Sequence, residues 1–546
     1  MHHHHHHGGS GRLARRVARQ AALAAALACP IAALAAESNP EPRRPNFIVF
    51  FTDDHGWPDI GEQGVLQDLR TPHIDAMAGN GARCIAGYAT APQCVPSRGG
   101  LLTGIHQNRF GLELNPDPLD GFNAQQTIAD RLREAGYVTG MAGKWHLGPP
   151  AEIGQHGFDL FHHKHSAEPG VGNFDPATGE PTPVGAKPTT TYHIDEVAQA
   201  ATTFIDLHHE QPFFFYAAWR APHVPLDATP ELLARFPGEM PERRRQALAM
   251  ISAMDDGVGD VLATLREHGL EDDTLIFFIG DNGAPLKMHK LDAPGGGPGW
   301  DGSLNDPLNG EKGMLSEGGI RVPYLVQWAG TIPPGTVFTH PVTTLDVGAT
   351  LLAAAGLEQP AELDGANLLP HLRGDVATAP HEHLFWRWLG QAAIRSGQWK
   401  YLRAGDTYQY LFDIEADPEE KHNLLAQHPD IAADLLARLR AWSDELPTPG
   451  LPADVPPAYH DFFGFYFEGV EFPAPALPAQ PAAAAPGAPD ARTLFAQRDK
   501  DNDGRVTRDE WIAKRELSEA QMRVVLRNFE QRDKNNDGAW TLDEID

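Results

Sequence analysis

Four short strand-like runs punctuate the first half of the chain, and each breaks off into a polar cluster. Residues 46–51 (NFIVFF) run into Thr52, Asp53 and Asp54, and residues 137–142 into Gly143, Lys144, Trp145 and His146. Residues 213–218 (FFFYAA) end before Arg220, Pro222 and His223, and 274–279 (TLIFFI) before Gly280, Asp281, Asn282 and Gly283. Apolar runs of this length predict buried parallel strands. Helix-period stretches lie between and beside them, at 74–79, 127–135, 195–208 and 243–268. Strands alternating with helices predict an α/β fold with a largely parallel central sheet. Ligands of such sheets bind beyond the C-terminal strand ends, where all four polar clusters fall. Residues 285–309, rich in Gly and Pro, read as a long loop near that mouth.

After about residue 375 the texture changes. Residues 384–388, 392–395, 399–403 and 408–412 read as short antiparallel strands. A helix follows over 429–446, with Leu435, Leu436, Leu439 and Trp442 on one face. These elements predict a smaller α+β subdomain over 376–472, following a main domain over 45–375. Residues 473–489 are Ala/Pro-rich and read as an extended linker, and 490–546 as a separate module.

The ends of the chain carry other signals. Residues 1–11, with their six histidines, are an expression tag. Residues 12–36 combine Arg12, Arg15, Arg16 and Arg19 with an Ala/Leu run ending in Ala33-Leu34-Ala35, which reads as a signal peptide. Pro30 interrupts that run, and no other apolar run is long enough to span a membrane. The expected location is therefore outside the cytoplasm, secreted or periplasmic. A lipoprotein signal ending at Cys29 is the alternative, disfavoured by Ala26. The formal charge is −29, from 73 Asp+Glu against 44 Lys+Arg, which argues against a nucleic-acid partner. An anionic substrate must then be caught by a local basic or metal-lined pocket.

Of three cysteines, Cys29 lies in the signal, so disulfides do not hold this fold together. Cys84 reads as a small buried apolar residue. Cys94 opens the stretch Cys94-Val95-Pro96-Ser97-Arg98, in which Pro96 and Ser97 favour a helix start. That puts Cys94 where free N–H groups favour negative charge, with Arg98 able to turn back toward it. Asp53, Asp54, Asp281 and Asn282 offer a hard, all-oxygen donor set suited to Ca²⁺ or Mg²⁺. Any one of them alone reads as a cap or turn; their shared place at strand ends makes the metal reading.

The C-terminal module carries two twelve-residue loops of EF-hand pattern. The first offers Asp499, Asp501, Asp503, Arg505, Thr507 and Glu510 at positions 1, 3, 5, 7, 9 and 12, with Gly504 at the turn. The second repeats it with Asp533, Asn535, Asp537, Ala539, Thr541 and Glu544. Two further Ca²⁺ ions and an all-α EF-hand pair are the expectation. Of 27 histidines most are taken as bland. His162, His163 and His165, in a polar insertion over 154–188, read as a solvated loop at the pocket rim, and His289 as a residue near the mouth.

The stretch from Cys94 to Arg98 resembles the Cys-x-Pro-x-Arg signature of the type I sulfatases. The resemblance extends in family order over roughly residues 45–445. It takes in Thr52-Asp53-Asp54, Gly143 to Gly148, Ala221-Pro222-His223, Gly280 to Gly283, Glu311-Lys312-Gly313, and Glu317 through Pro323. It implies an alkaline-phosphatase-like α/β/α sandwich and a Cys94 oxidised to Cα-formylglycine by a formylglycine-generating enzyme. It also implies a Ca²⁺ held by Asp53, Asp54, Asp281, Asn282 and residue 94 itself. Lys144, Lys312 and Arg98 are implied to neutralise sulfate, His223 to protonate the departing alkoxide, and His146 to take the proton from the second hydroxyl of the formylglycine hydrate. The implied reaction is hydrolysis of a sulfate ester, on a sulfated small molecule or oligosaccharide. The alternatives are a phosphodiester or phosphonate monoester hydrolase of the same superfamily, and an inactive secreted calcium-binding protein.

Overall fold

The runs at 46–51, 213–218 and 274–279 lie side by side in one sheet of the protein, seen here in a computed structural model. It describes residues 44–163, 174–181, 192–287, 302–472, 499, 505–507, 511 and 539–541. The tag, the signal segment 12–36, the linker 473–489 and His165 and His289 lie outside the described residues. In chain order the strands are β1 (Asn46–Asp53), β2 (Ala82–Cys84), β3 (Gly87–Tyr88), β4 (Val138–Gly143) and β5 (Leu160–His162). They continue with β6 (Phe213–Pro222), β7 (Thr274–Gly280), β8 (Tyr324–Gln327), β9 (Thr336–Phe338) and β10 (Val342–Thr343).

Eight of these form the central sheet, in the order β5-β4-β6-β1-β7-β8-β2-β9. The run from β5 to β7 is parallel throughout. Only β8 runs against its neighbours β7 and β2. Successive side chains of β1 point to opposite faces, and both faces are covered. Phe47, Val49 and Phe51 pack with Leu101, Leu102, Ile128 and Leu351. Ile48 and Phe50 pack with Met77, Val197, Met250, Met254 and Val258. This is why the strand reads as an unbroken apolar run, and each phenylalanine so buried contributes about 1.5–3 kcal/mol. Helices Cys94–Thr103, Ile128–Glu134 and Asp346–Ala354 cover one face; Pro72–Gly79, His193–His208 and Glu242–Glu267 cover the other. Among the described residues no helix is long and apolar enough to cross a membrane.

The C-terminal part of the same unit is a four-stranded antiparallel meander of β11 (His383–Trp388), β12 (Gln391–Ser396), β13 (Trp399–Ala404) and β14 (Tyr408–Asp413). One face packs on the helix Pro429–Asp444 through Leu435 and Leu439. The other meets Met314, Leu315, Ile320 and Tyr88 of the larger domain. A buried ion cluster crosses that junction: Lys400 Nζ lies 2.8 Å from both Glu317 Oε1 and Glu420 Oε1, all fully buried. Burial alone would raise the Glu317 carboxyl, but Lys400, Arg321 and Arg395 hold it down at about 2. Lys400→Met removes the shared cation and leaves two carboxylates facing each other in the interior. Unfolding in urea will show a loss of about 3–5 kcal/mol, and an unchanged midpoint would show that the cluster contributes nothing.

One expectation needs correction, and one helix has no one-sided pattern in the sequence. His162 is not on a solvated rim loop: it closes β5, is buried, and has its Nε2 3.3 Å from Glu196 Oε2. The insertion therefore begins by adding an edge strand to the sheet. The helix Pro457–Glu468 was not foreseen, because aromatic residues at 462, 463, 465, 466 and 467 surround it and leave no one-sided pattern.

Residues 474–546 form a second compact unit. Its described strands are β15 (Arg505–Thr507) and β16 (Ala539–Thr541), paired antiparallel with Val506 opposite Trp540. The EF-hand positions Asp501, Asp503, Glu510, Asp533, Asn535, Asp537 and Glu544 lie outside the described residues, so an all-α EF-hand pair is not established.

Candidate active site

Four adjacent parallel strands, β4, β6, β1 and β7, end at one edge of the sheet. Their ends deliver Lys144 (after β4), His223 (after β6), Asp53 and Asp54 (closing and following β1), and Asp281 and Asn282 (after β7). Asp54 and His146 both adopt left-handed backbone, with φ of 56° and 61°. Non-glycine residues pay roughly 1–3 kcal/mol for such conformations, and they gather at functional sites. The turn after β7 needs Gly283: a Cβ there would stand 1.9 Å from the Gly318 carbonyl.

Cys94 is the first residue of a ten-residue helix, Cys94–Thr103, buried along its whole length. Its thiol donates to Asp53 Oδ1 at 3.3 Å, and Lys312 Nζ donates to Sγ at 3.2 Å. Arg98, one turn on, sends Nη2 to Asp281 Oδ2 at 2.8 Å and Nη1 to the Lys144 carbonyl at 3.1 Å and the Tyr216 hydroxyl at 3.4 Å. Lys144 Nζ lies 2.5 Å from Asp53 Oδ2, and Lys312 Nζ pairs with Asp54 Oδ1. Asp54 N–H donates to Asp281 Oδ1 at 3.1 Å, and the Asn282 amide donates to Asp54 Oδ1 at 2.7 Å. His223 Nε2 is 3.7 Å from Asp54 Oδ2, while its Nδ1 donates to the Val224 carbonyl at 2.5 Å.

Burial governs the titration of this cluster. It pushes the Cys94 thiol up to about 12, with Asp53 adding to it and Lys144 and Lys312 opposing. It raises Asp281 to about 7, again with Asp53 adding and Arg98 opposing. Asp53 would rise for the same reason, but Lys144, His223, Arg98 and Lys312 hold it well below its usual range. Burial would lower Lys312, yet Asp54, Cys94 and Asp53 raise it well above an ordinary lysine. Desolvation brings His223 down to about 4 against the pull of Asp53 and Asp54. His146 keeps its residue surface exposed; desolvation together with Lys144 and Arg98 brings it down to about 3. Both imidazoles are therefore neutral at pH 7.

The carboxylate and amide oxygens of Asp53, Asp54, Asp281 and Asn282 fit a hard divalent cation. Carboxylate oxygens of Asp53 and Asp54, the Cys94 sulfur and a His223 nitrogen lie within 4.8 Å of one another. The hydrogen bonds above draw Asp281 and Asn282 into the same cluster. Asn282 Oδ1 is buried with no hydrogen-bond partner among the described residues. An orphaned amide oxygen beside three carboxylates is what a calcium site presents.

Two supporting residues escape motif reading. Tyr216, inside the run FFFYAA, places its hydroxyl under Arg98. His55 is buried between Thr52 Oγ1 (3.1 Å) and the Asp59 carbonyl (2.9 Å), shaping the loop behind Asp54. A polar residue in or beside a buried strand was the only signal for either.

This fold and this edge-of-sheet cluster define an ester hydrolase of the alkaline-phosphatase-like class. The Sulfatase family matches residues 45–357, and the C-terminal domain of N-sulphoglucosamine sulphohydrolase matches 310–445. The chain belongs to the sulfatase family and is a sulfuric ester hydrolase. Among its relatives, mouse (Mus musculus) steryl-sulfatase is 31% identical over 446 residues, covering 65% of this chain and 69% of that protein. N-acetylgalactosamine-6-O-sulfatase of Bacteroides thetaiotaomicron is 29% identical over 493 residues, covering 72% and 92%. The crystal structure of Ps i-CgsB in complex with k-i-k-neocarrahexaose is 30% identical and superposes with a TM-score of 0.64, covering 78% of this chain and 97% of that one.

Proposed function

We propose that this sulfatase removes sulfate from short sulfated carbohydrates, using a Cα-formylglycine made from Cys94 and a Ca²⁺ held by Asp53, Asp54, Asp281, Asn282 and residue 94. The observation that carries the reading is the place of Cys94 Sγ, between the Asp53 carboxylate and the Lys312 ammonium, at the meeting point of four strand ends. A thiol held at about 12 is a poor nucleophile at pH 7, so conversion of this side chain supplies what the thiol lacks. Hydrated formylglycine supplies a hydroxyl for attack on sulfur and a second hydroxyl whose deprotonation allows sulfate to leave. Bound calcium supplies Lewis-acid polarisation of the sulfate oxygens.

The chain's own residues do the rest. Lys144, Lys312 and Arg98 bring three positive charges to a site from which water is largely excluded, the preorganised electrostatics that stabilise a sulfuryl transition state. His146, neutral and exposed at the mouth, is suited to accept the hydroxyl proton. His223 donates Nδ1–H to Val224, so its neutral ring offers Nε2 as an acceptor. The leaving oxygen takes its proton from His223 in its protonated form, and Lys312, whose ammonium is strongly held in the charged form, assists by donating a hydrogen bond to that oxygen and keeps its own proton. The sugar preference rests on the carbohydrate relatives, and the net charge of −29 favours short oligosaccharides over long polyanions.

We extend the proposal to the ends of the chain. Residues 12–36 direct export, to the periplasm or the medium, and a formylglycine-generating enzyme converts Cys94. Loops 499–510 and 533–544 each bind Ca²⁺ as an EF-hand pair; support comes from β15 and β16, which join positions 7 to 9 of one loop to the same positions of the other.

The test is a substrate panel of an aryl sulfate, the matching aryl phosphate, a steryl sulfate, and sulfated mono- and disaccharides. Expected is kcat/KM highest for one sulfated saccharide and at least about 10²-fold lower for the aryl phosphate than for the aryl sulfate, a gap of the size one mismatched charge interaction produces. Preference for the phosphate would replace the sulfatase assignment with the phosphoryl-ester alternative. Preference for the steryl sulfate would overturn the carbohydrate reading alone.

A further inference from the structure

A second cluster of ligating side chains lies on the sheet face opposite the Cys94 helix. The helix Pro72–Gly79 starts against the middle of the long helix Glu242–Glu267, and both pack in the core beneath that face. At their contact, one ring nitrogen of His73 and one carboxylate oxygen each from Asp255 and Asp256 lie within 4.8 Å of one another.

Three details mark this as more than a group of surface charges. Asp255 is only 1% exposed. Its Oδ1 accepts from the backbone N–H groups of His73 (3.0 Å) and Ile74 (2.8 Å), capping the shorter helix from across the interface. Its Oδ2 is buried with no hydrogen-bond partner among the described residues. Leaving a buried carboxylate oxygen unsatisfied is costly, so such an atom calls for a ligand. The His73 ring also has a place made for it: a Cβ on Gly259 would stand 2.7 Å from it.

The surroundings favour a cation. Asp195, on the helix His193–His208, and Asp256 and Asp260, on the helix Glu242–Glu267, line an acidic groove of about 760 Å³. Desolvation raises the carboxyls of Asp195 and Asp260, and repulsion from Asp256 adds to it. Asp256 is fixed from behind by Arg235, whose Nη1 lies 2.6 Å from Oδ2. A charged partner that orients a ligating carboxylate is a usual companion of metal sites.

We propose that His73, Asp255 and Asp256 form a binding site for a divalent transition-metal ion of the zinc class, distinct from the catalytic cation site. An imidazole with two carboxylates suits zinc better than calcium, which takes oxygen donors. The ion ties the first turn of the helix Pro72–Gly79 to the helix Glu242–Glu267, and the site acts as a structural staple.

The test uses the calcium-saturated full chain, so that the oxygen-donor sites are already filled. Crystals soaked in zinc chloride will show an anomalous peak at the zinc edge about 2.0–2.2 Å from a His73 nitrogen and from oxygens of Asp255 and Asp256. In solution, zinc at about 100 times its dissociation constant will raise the melting temperature by about 3 °C. His73→Ala and Asp256→Asn, which carry the same six tag histidines and leave the Asp255 cap intact, will show less than a third of that rise. No peak at the site, or an equal rise in the His73→Ala protein, overturns the proposal.

Discussion

Cys94→Ala will lower kcat for an aryl sulfate by about 10⁴–10⁶-fold, the range seen when a covalent nucleophile is deleted. The protein will stay folded, because alanine removes one buried sulfur atom and no hydrogen bond on which the helix Cys94–Thr103 depends. Cys94→Ser will fall as far. A serine hydroxyl can attack sulfur once, but it has no second hydroxyl through which the ester could collapse. Steady-state rates on purified variants, with circular dichroism to verify the fold, check this. A Cys94→Ala enzyme within tenfold of wild type would place the nucleophile elsewhere.

The second large effect is expected at Arg98, which has no exposed surface. Its guanidinium spans three partners at once: Asp281 through Nη2, and the Lys144 carbonyl and Tyr216 hydroxyl through Nη1. Arg98→Ala removes one transition-state cation, for about 10²–10³ in kcat. It also strips Asp281 of its closest opposing charge, in an environment that already holds this carboxyl at about 7. Asp281 will then take up a proton, calcium will bind more weakly, and the fold will lose about 3–5 kcal/mol. Arg98→Lys will recover little, since one ammonium cannot reach three partners from that helix position. Parallel measurement of kcat, calcium affinity and urea midpoint separates these effects. An Arg98→Ala protein with wild-type calcium affinity would show that Asp281 does not depend on this pairing.

Much of the site was legible because catalytic strands of an α/β sheet carry two signals in sequence. Residues 46–51 and 274–279 are apolar on both faces, and they stop abruptly at Asp53 and Asp281. The parallel order β4-β6-β1-β7 then brings those stops to one edge. What was hidden depends on contacts distant in sequence. Nothing in the alternation of 399–403 marks Lys400 as buried, since its partners Glu317 and Glu420 come from other segments. His162 looked solvated because it stands among polar residues, yet it finds Glu196 thirty-four positions away. The helix Pro457–Glu468 has no polar face to reveal its period. Instead, Tyr466 gives its hydroxyl to Glu311, beside Lys312, a contact that only the fold reveals.

The mass of the tryptic peptide spanning residues 84–98 tests the central claim most directly. Active enzyme will yield a peptide lighter than one carrying two unmodified thiols, with the loss located at residue 94 and not at Cys84. Across preparations, aryl sulfate turnover will rise in proportion to the lighter fraction. Full turnover from protein whose residue 94 is entirely cysteine would contradict the account.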